Sequence, residues 1–250
     1  MSGHSHWATI KHKKGAIDAK RGKLWSKLSR AIIIAARHGG GDPTMNLKLR
    51  YAIDKARSVS MPKDNIERAI KRGTGETDGA IFEELTYEGY GPAGVAVLVD
   101  VLTDNRNRTS GEVRKIFERC GGKMGSAGAV AYLFDRKGIF SVDAKLVDED
   151  TLMGIMLEAG AEDLKRQDDA FEIVCDPTIF NEVKGALEKA NIATNLAEIT
   201  QLPKAPTDVD VEGGIKVARL IDALDDHDDV QNVYTSMQMT SQLAEAMAKE

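Results

Sequence analysis

Val113-Arg-Lys-Ile-Phe-Glu-Arg-Cys-Gly-Gly122 and Leu152-Met-Gly-Ile-Met-Leu-Glu-Ala-Gly-Ala161 follow one plan. Each has apolar residues at helical spacing, a glycine where the helix must stop, and a strand-like stretch after a short connection. A second echo pairs Val183–Asn191 and its following strand with Leu220–Asp228 and its strand. Two copies of a β-α-β-α-β unit explain both echoes, with one copy inserted in the other. The outer copy is expected to comprise residues 80–134 with 206–250, and the inner copy residues 135–205. Each should be a sheet with helices on one face, in the ferredoxin-like manner. Strand order cannot be read from the pattern.

Working outward, the outer copy begins with strands at Glu84–Glu88 and Val95–Val101, joined by the turn Tyr87-Glu-Gly-Tyr-Gly-Pro92. Thr109 and Glu112 have the spacing of a capping box and set the start of the next helix. Ala129–Phe134 reads as a further strand. Within the inner copy the order is strand from Gly138, helix Thr151–Ala159, strand Phe171–Cys175, helix Ile179–Lys189 and strand Asn195–Thr200. Leu202-Pro-Lys-Ala-Pro206 is a linker, followed by helix Ile215–Leu224 and strand Val230–Thr235.

Residues 1–79 read differently, as three helices. The first spans about Ile17 to Arg37 and stops at Gly39-Gly-Gly41. Asp42-Pro43 opens the second, with Asp as N-cap and Pro at the first helical position. Leu49, Ile53 and Ala56 form its inner face. The third begins near Pro62, buries Ile66, Ala69 and Ile70, and ends at Gly73, before the polar boundary Gly73–Gly79. The expected fold is therefore α+β and multidomain: a basic N-terminal three-helix domain followed by two ferredoxin-like α+β domains, one inserted into the other.

The net charge of −5 conceals a polarised chain. Residues 1–80 hold 17 Lys/Arg against 7 Asp/Glu, and residues 81–250 hold 17 against 32. Such a split suggests a module that meets phosphates and an acidic remainder that limits unspecific adhesion. Lys20, Lys23, Lys27, Arg30 and Arg37 recur at helical spacing along one stripe, away from the apolar stripe. Lys11, His12, Lys13 and Lys14 precede it with Trp7 nearby, and the second helix adds Arg50, Lys55 and Arg57. Lysine and arginine gain affinity by releasing counterions from phosphates, and an exposed Trp can stack on an unpaired base. The blander alternatives are a solvated helix face for the stripe and a core anchor for Trp7. Arg106 and Arg108 flank a helix N-terminus, where an anion is favoured; pairing with Asp100 or Asp104 is the alternative.

Other classes find little support. The longest apolar run, Ala31 to Ala36, is far short of a membrane span. No secretory signal precedes the first helix. Cys120 and Cys175 form no CxxC motif and read as reduced thiols of a cytosolic protein. No phosphate-binding loop of the Gly-x-x-x-x-Gly-Lys-Ser/Thr type and no Gly-x-Ser-x-Gly elbow occurs, so no enzymatic activity and no cofactor is expected. Asp225-Asp-His-Asp-Asp229 could gather a divalent cation, but a solvated turn is the expected reading, and no metal site is assigned.

Gly3-His-Ser-His-Trp7, Asp18-Ala-Lys-Arg-Gly-Lys23, Gly39-Gly-Gly-Asp-Pro43, Tyr87–Pro92, Asp104-Asn-Arg-Asn-Arg-Thr109, Ala129-Val-Ala-Tyr-Leu-Phe134 and the tail Leu220–Tyr234 together resemble the YebC family. A mitochondrial relative of that family is the translational activator of cytochrome oxidase subunit one. The resemblance implies three domains and no catalysis. It also implies a role in gene expression, either as a ribosome-associated factor that helps translation through proline-rich stretches or as a transcriptional regulator. Met1 just before the family's usual start leads us to expect a bacterial-type cytoplasm. The expectation is then a monomeric translation factor contacting ribosomal RNA through Lys11–Lys27 and Arg30. The alternative is a regulator placing the same helices on DNA; it is the weaker reading because the module lacks an evident dimer seam.

Overall fold

A computed structural model describes residues 18–77, 81–167 and 169–249. The described residues begin with three helices: α1 (Asp18–Gly39), α2 (Leu47–Ser58) and α3 (Lys63–Gly73). Leu28, Ile32, Ile33, Ala35 and Ala36 of α1 close on Leu49, Ile53 and Ala56 of α2 and on Ile66 and Ala69 of α3. Gly40, at φ +83°, reverses the chain after α1, a conformation that favours glycine. Gly73 is a glycine for a different reason: a Cβ there would lie 2.5 Å from the Ile33 carbonyl oxygen, so its absence lets α3 lie against α1.

The start of α2 departs from the expectation. Asp42 is not its N-cap; it closes a turn by accepting from the Thr44 amide and hydroxyl, both at 2.8 Å. Asn46 is the cap. Its Oδ1 accepts from Leu49 N at 3.1 Å, while its Nδ2 donates to the carbonyls of Ala35 (2.7 Å) and Gly40 (2.8 Å). One buried side chain thus satisfies a helix start and two carbonyls at the end of the preceding helix, which Asp42 could not do without a donor.

The first sheet contains β1 (Glu83–Tyr90), β2 (Ala96–Thr103), β3 (Lys123–Met124) and β8 (Val230–Thr235), in the order β3-β1-β2-β8 and antiparallel throughout. The second contains β4 (Phe134–Asp143), β5 (Asp163–Gln167), β6 (Ala170–Cys175) and β7 (Thr194–Pro203), in the order β5-β6-β4-β7. With α5 (Glu149–Glu158) between β4 and β5 and α6 (Phe180–Lys189) between β6 and β7, this second unit has the β-α-β-β-α-β path of a ferredoxin-like domain. The first sheet reaches the same layout by another route, because β1 turns directly into β2. It carries α4 (Arg106–Arg119) and α7 (Val211–Asp225), and α8 (Ser241–Lys249) is the last described element.

Alternation sorts the faces of the first sheet. Val97, Val99 and Val101 point to a core with Val113 and Phe117 of α4, Val217, Leu220, Ile221 and Leu224 of α7, and Leu243 of α8. Ala96 and Leu98 point the other way, against Val130 and Phe134. The second sheet packs Phe140, Val142, Phe171 and Ile173 on Leu152, Met156, Phe180, Val183 and Leu187.

Other elements also differ from the sequence reading. Ala129–Phe134 is not a strand: Ala131–Leu133 form a 3-10 turn, and Phe134 begins the long strand β4. The buried Glu88 carboxylate holds that turn by accepting from the amides of Gly128, Val130 and Ala131 at 2.6–2.7 Å. Thr109 does not cap α4; Asn105 does, accepting from Arg108 N at 3.1 Å, and Thr109 lies buried one turn inside. The sequence reading places no element at the short strands β3 and β5 or the helix α8; β3 has two residues, and three of the five residues of β5 are charged.

Candidate nucleic-acid interface

The middle of the basic stripe on α1 does not face open solvent. Lys23, Lys27 and Arg30 meet the loop Asp225–Asp229 between α7 and β8. Lys23 Nζ lies 3.1 Å from Asp226 Oδ1 and 3.9 Å from Asp228 Oδ1. Lys27 donates to the Asp225 carbonyl, and Arg30 to the Asp228 carbonyl. Arg30 also pairs with Asp229 Oδ1 at 3.1 Å. The loop is therefore a turn solvated at Asp226 and Asp228 and anchored at the buried Asp229. Among the described residues no group of three or more His, Cys, Asp or Glu is placed to hold a metal ion.

Asp229 is the anchor of this arrangement and is only 3% exposed. Its Oδ2 accepts from Thr109 (2.6 Å), Arg108 (2.8 Å) and Thr103 (3.0 Å). Burial pushes its carboxyl up, but those hydrogen bonds and the Arg30 charge outweigh burial and hold it below the usual carboxylate range. Apart from Arg30, these partners all belong to the α4 side of the first sheet. His227 completes the loop: its Nε2 lies 2.9 Å from Glu112 Oε2, and its Nδ1 accepts from Asp229 N at 3.1 Å.

Between α1, α4 and this loop opens a cleft of about 990 Å³. Five cations and six carboxylates line it, so in this conformation it offers a polyanion no net positive charge.

The other expected contacts are distributed differently. Trp7, Lys11, Lys13 and Lys14 lie outside the described residues. Lys20 falls in the first turn of α1, and its side chain also lies outside them. Arg50 binds the chain between α1 and α2, donating to the carbonyls of Pro43 (2.9 Å) and Thr44 (2.8 Å). Arg57 is exposed, 3.8 Å from Asp54. Arg108 pairs with Asp104 (3.0 Å) as well as Asp229, so it has taken the carboxylate alternative. Arg106 is exposed and makes no ion pair among the described residues.

Arg37, within the stripe, and Arg68 and Lys71 on α3, which the sequence reading did not single out, are exposed and make no ion pair with a described residue. Arg72 and Arg30 both approach the ring of Phe82, at 5.9 and 5.6 Å from its centroid. Side chains rather than packed helix faces join the helical module to both sheets. Besides the stripe, Tyr51 donates to Asn181 Oδ1 at 2.8 Å and meets Phe180 edge-on. Lys55 and Lys48 lie 3.9 Å from Glu198 and Glu84.

Comparison with known proteins places the chain. Its residues 5–76 match the family model for the TACO1/YebC protein N-terminal domain, and residues 82–237 match that for the TACO1/YebC second and third domain. A "Probable transcriptional regulatory protein" of Desulfatibacillum aliphaticivorans is 56% identical over 236 residues, covering 94% of this chain and 96% of the relative. One of the same description from Geobacter sulfurreducens is 51% identical, covering 99% and 100%. The crystal structure of a conserved hypothetical protein from Aquifex aeolicus superposes with a TM-score of 0.83 at 48% identity, covering 94% of this chain and 98% of that one. Among the described residues no helix is long and apolar enough to cross a membrane. The three-helix module, the two four-stranded sheets and the matched stretches agree, and the chain belongs to the TACO1/YebC family.

Proposed function

We propose that the protein is a non-enzymatic nucleic-acid-binding factor of the cytoplasm, acting as a monomer on the ribosome. Its helical module contacts ribosomal RNA and assists synthesis through difficult, proline-rich stretches. The observation that carries this reading is the segregation of charge. The helical module concentrates the cations of an otherwise acidic chain, and Arg37, Arg68 and Lys71 remain exposed without carboxylate partners among the described residues. Cations held this way bind phosphate backbones by counterion release, without reading sequence. The family resemblance supplies the translational role.

A second reading is a DNA-binding transcriptional regulator, which the descriptions of the relatives favour. One experiment separates the two. On the translational reading, the protein co-sediments with ribosomes in a density gradient and leaves them as salt rises. If it stays at the top of the gradient at low salt while shifting duplex DNA in a gel at the same concentration, the transcriptional reading replaces the translational one.

A further inference from the structure

We propose that the Asp225–Asp229 loop is a built-in competitor for nucleic acid: it occupies Lys23, Lys27 and Arg30 in a closed form, and a phosphate backbone must displace it to reach them. This rests on the nucleic-acid reading above and adds a regulation to it.

The loop presents oxygens as a phosphate backbone would. Asp226 and Asp228 offer carboxylates to Lys23, the carbonyls of Asp225 and Asp228 receive Lys27 and Arg30, and Asp229 Oδ1 adds a second oxygen to Arg30. The three cations span seven residues of helix, roughly 10 Å, so consecutive anionic groups are needed to satisfy them. The same residues that the periodicity marks for phosphate are thus engaged within the chain.

Two features make the contact exchangeable. Asp226 and Asp228 are open to solvent, with side chains 76% and 68% exposed, and exposed ion pairs are individually weak. The loop also does not depend on α1 for its shape. When Arg30 leaves, Asp229 keeps Thr103, Thr109 and Arg108, and His227 keeps Glu112. Opening therefore costs the contact itself and not the fold of the α+β domain. While the loop is seated, the cleft carries no excess of positive charge, and affinity is reduced by the fraction of closed molecules.

The test uses the full chain and a fluorescein-labelled single-stranded RNA of mixed sequence, followed by anisotropy. D226N/D228N weakens the competitor and leaves Asp229 in place; it should bind about two- to twenty-fold tighter than the parent, from two exposed pairs. E118Q removes a carboxylate from the same cleft without touching the loop, and should change affinity little. In parallel, spin labels at Ser26→Cys on α1 and Glu118→Cys on α4, with Cys120 replaced by Ser, should move apart when RNA is added.

If the parent binds and K23Q/K27Q/R30Q binds more weakly, but D226N/D228N gains nothing beyond E118Q, the competitor is refuted and the nucleic-acid reading stands. An unchanged label distance at saturating RNA refutes it equally. If neither the parent nor D226N/D228N binds RNA, the nucleic-acid reading itself falls, and the competitor with it.

Discussion

Removing the charge of Asp229 tests the anchor beneath the whole contact between α1 and the first sheet. Asp229→Asn keeps the volume but places an NH2 among four donors. The two threonine hydroxyls are not stranded, because they lie 2.8 Å from each other. Arg108 keeps Asp104 at 3.0 Å. The loss therefore concentrates on the ion pairs with Arg108 and Arg30. Breaking a fully buried pair costs about 3–5 kcal/mol, but the Arg108 and Arg30 side chains are 45% and 21% exposed. Solvent screening reduces the expected loss to about 2–3 kcal/mol. At roughly 2–4 °C per kcal/mol for a chain of this size, Tm should fall by about 4–12 °C. Calorimetry on the parent, D229N, R108Q and the double variant gives both the shift and the coupling between the two residues. A Tm for D229N within about 2 °C of the parent, with additive losses in the double variant, would refute the anchoring role.

Other outcomes follow from the same geometry. Replacing Lys20, Lys23, Lys27 and Arg30 together by Gln should leave the helical core intact, since Lys23, Lys27 and Arg30 do not belong to it, and weaken nucleic-acid binding. The slope of log affinity on log salt should become shallower by roughly 0.7–0.9 for each phosphate no longer neutralised; an unchanged slope would move the binding surface to Arg37, Arg68 and Lys71. The lowered carboxyl of Asp229 stabilises the fold fully above its unfolded value of about 3.9, and that contribution is lost as pH falls through the lower folded value. The difference in urea midpoint between parent and D229N should accordingly hold from neutral pH to about pH 4 and vanish in stronger acid; a difference that grows on acidification contradicts it. Gly73→Ala would set a Cβ 2.5 Å from the Ile33 carbonyl oxygen and 2.7 Å from Ala36 Cβ, lifting α3 from α1 at a cost of about 1–3 kcal/mol. A urea midpoint equal to the parent's would show that the helices can part without penalty.

Much of the architecture was legible because period and punctuation agreed. The valines of β2 alternate cleanly, α1 carries its apolar stripe, and the glycines after α1 and α4 stop those helices where expected. The differences arise where a tertiary contact overrides a local signal or where no local signal exists. Thr109 and Glu112 have capping-box spacing, yet Thr109 is drawn inside by Asp229, 120 positions away. Asp42-Pro43 has the look of a helix start, yet Asn46 serves both α1 and α2 from one buried place. Strand β5 carries Asp163, Lys165 and Arg166, so alternation of apolar residues could not reveal it.

The site was half legible for the same reason. Helical spacing put Lys23, Lys27 and Arg30 on one stripe, but nothing in a linear reading pairs them with a loop of carboxylates and carbonyls some 200 positions onward. The one signal in the sequence was the sign asymmetry between the two parts of the chain, which attracts them to each other as readily as it attracts either to a partner.

The route by which the chain enters and leaves the second sheet has a consequence for how the molecule assembles. Phe134, at the start of β4, is registered opposite Pro203, at the end of β7, and Lys204 N donates to the Leu133 carbonyl at 2.8 Å. The excursion therefore returns within a single strand spacing, roughly 4.8 Å, of where it began. To the first sheet, waiting for α7 and β8, a folded second sheet behaves as a short tether rather than as a long flexible loop. Closing a flexible loop grows dearer with its length, if only logarithmically. Once β4 and β7 have paired, that penalty no longer falls on the outer sheet, so the distant strand β8 can join β2 as if it were a near neighbour in sequence.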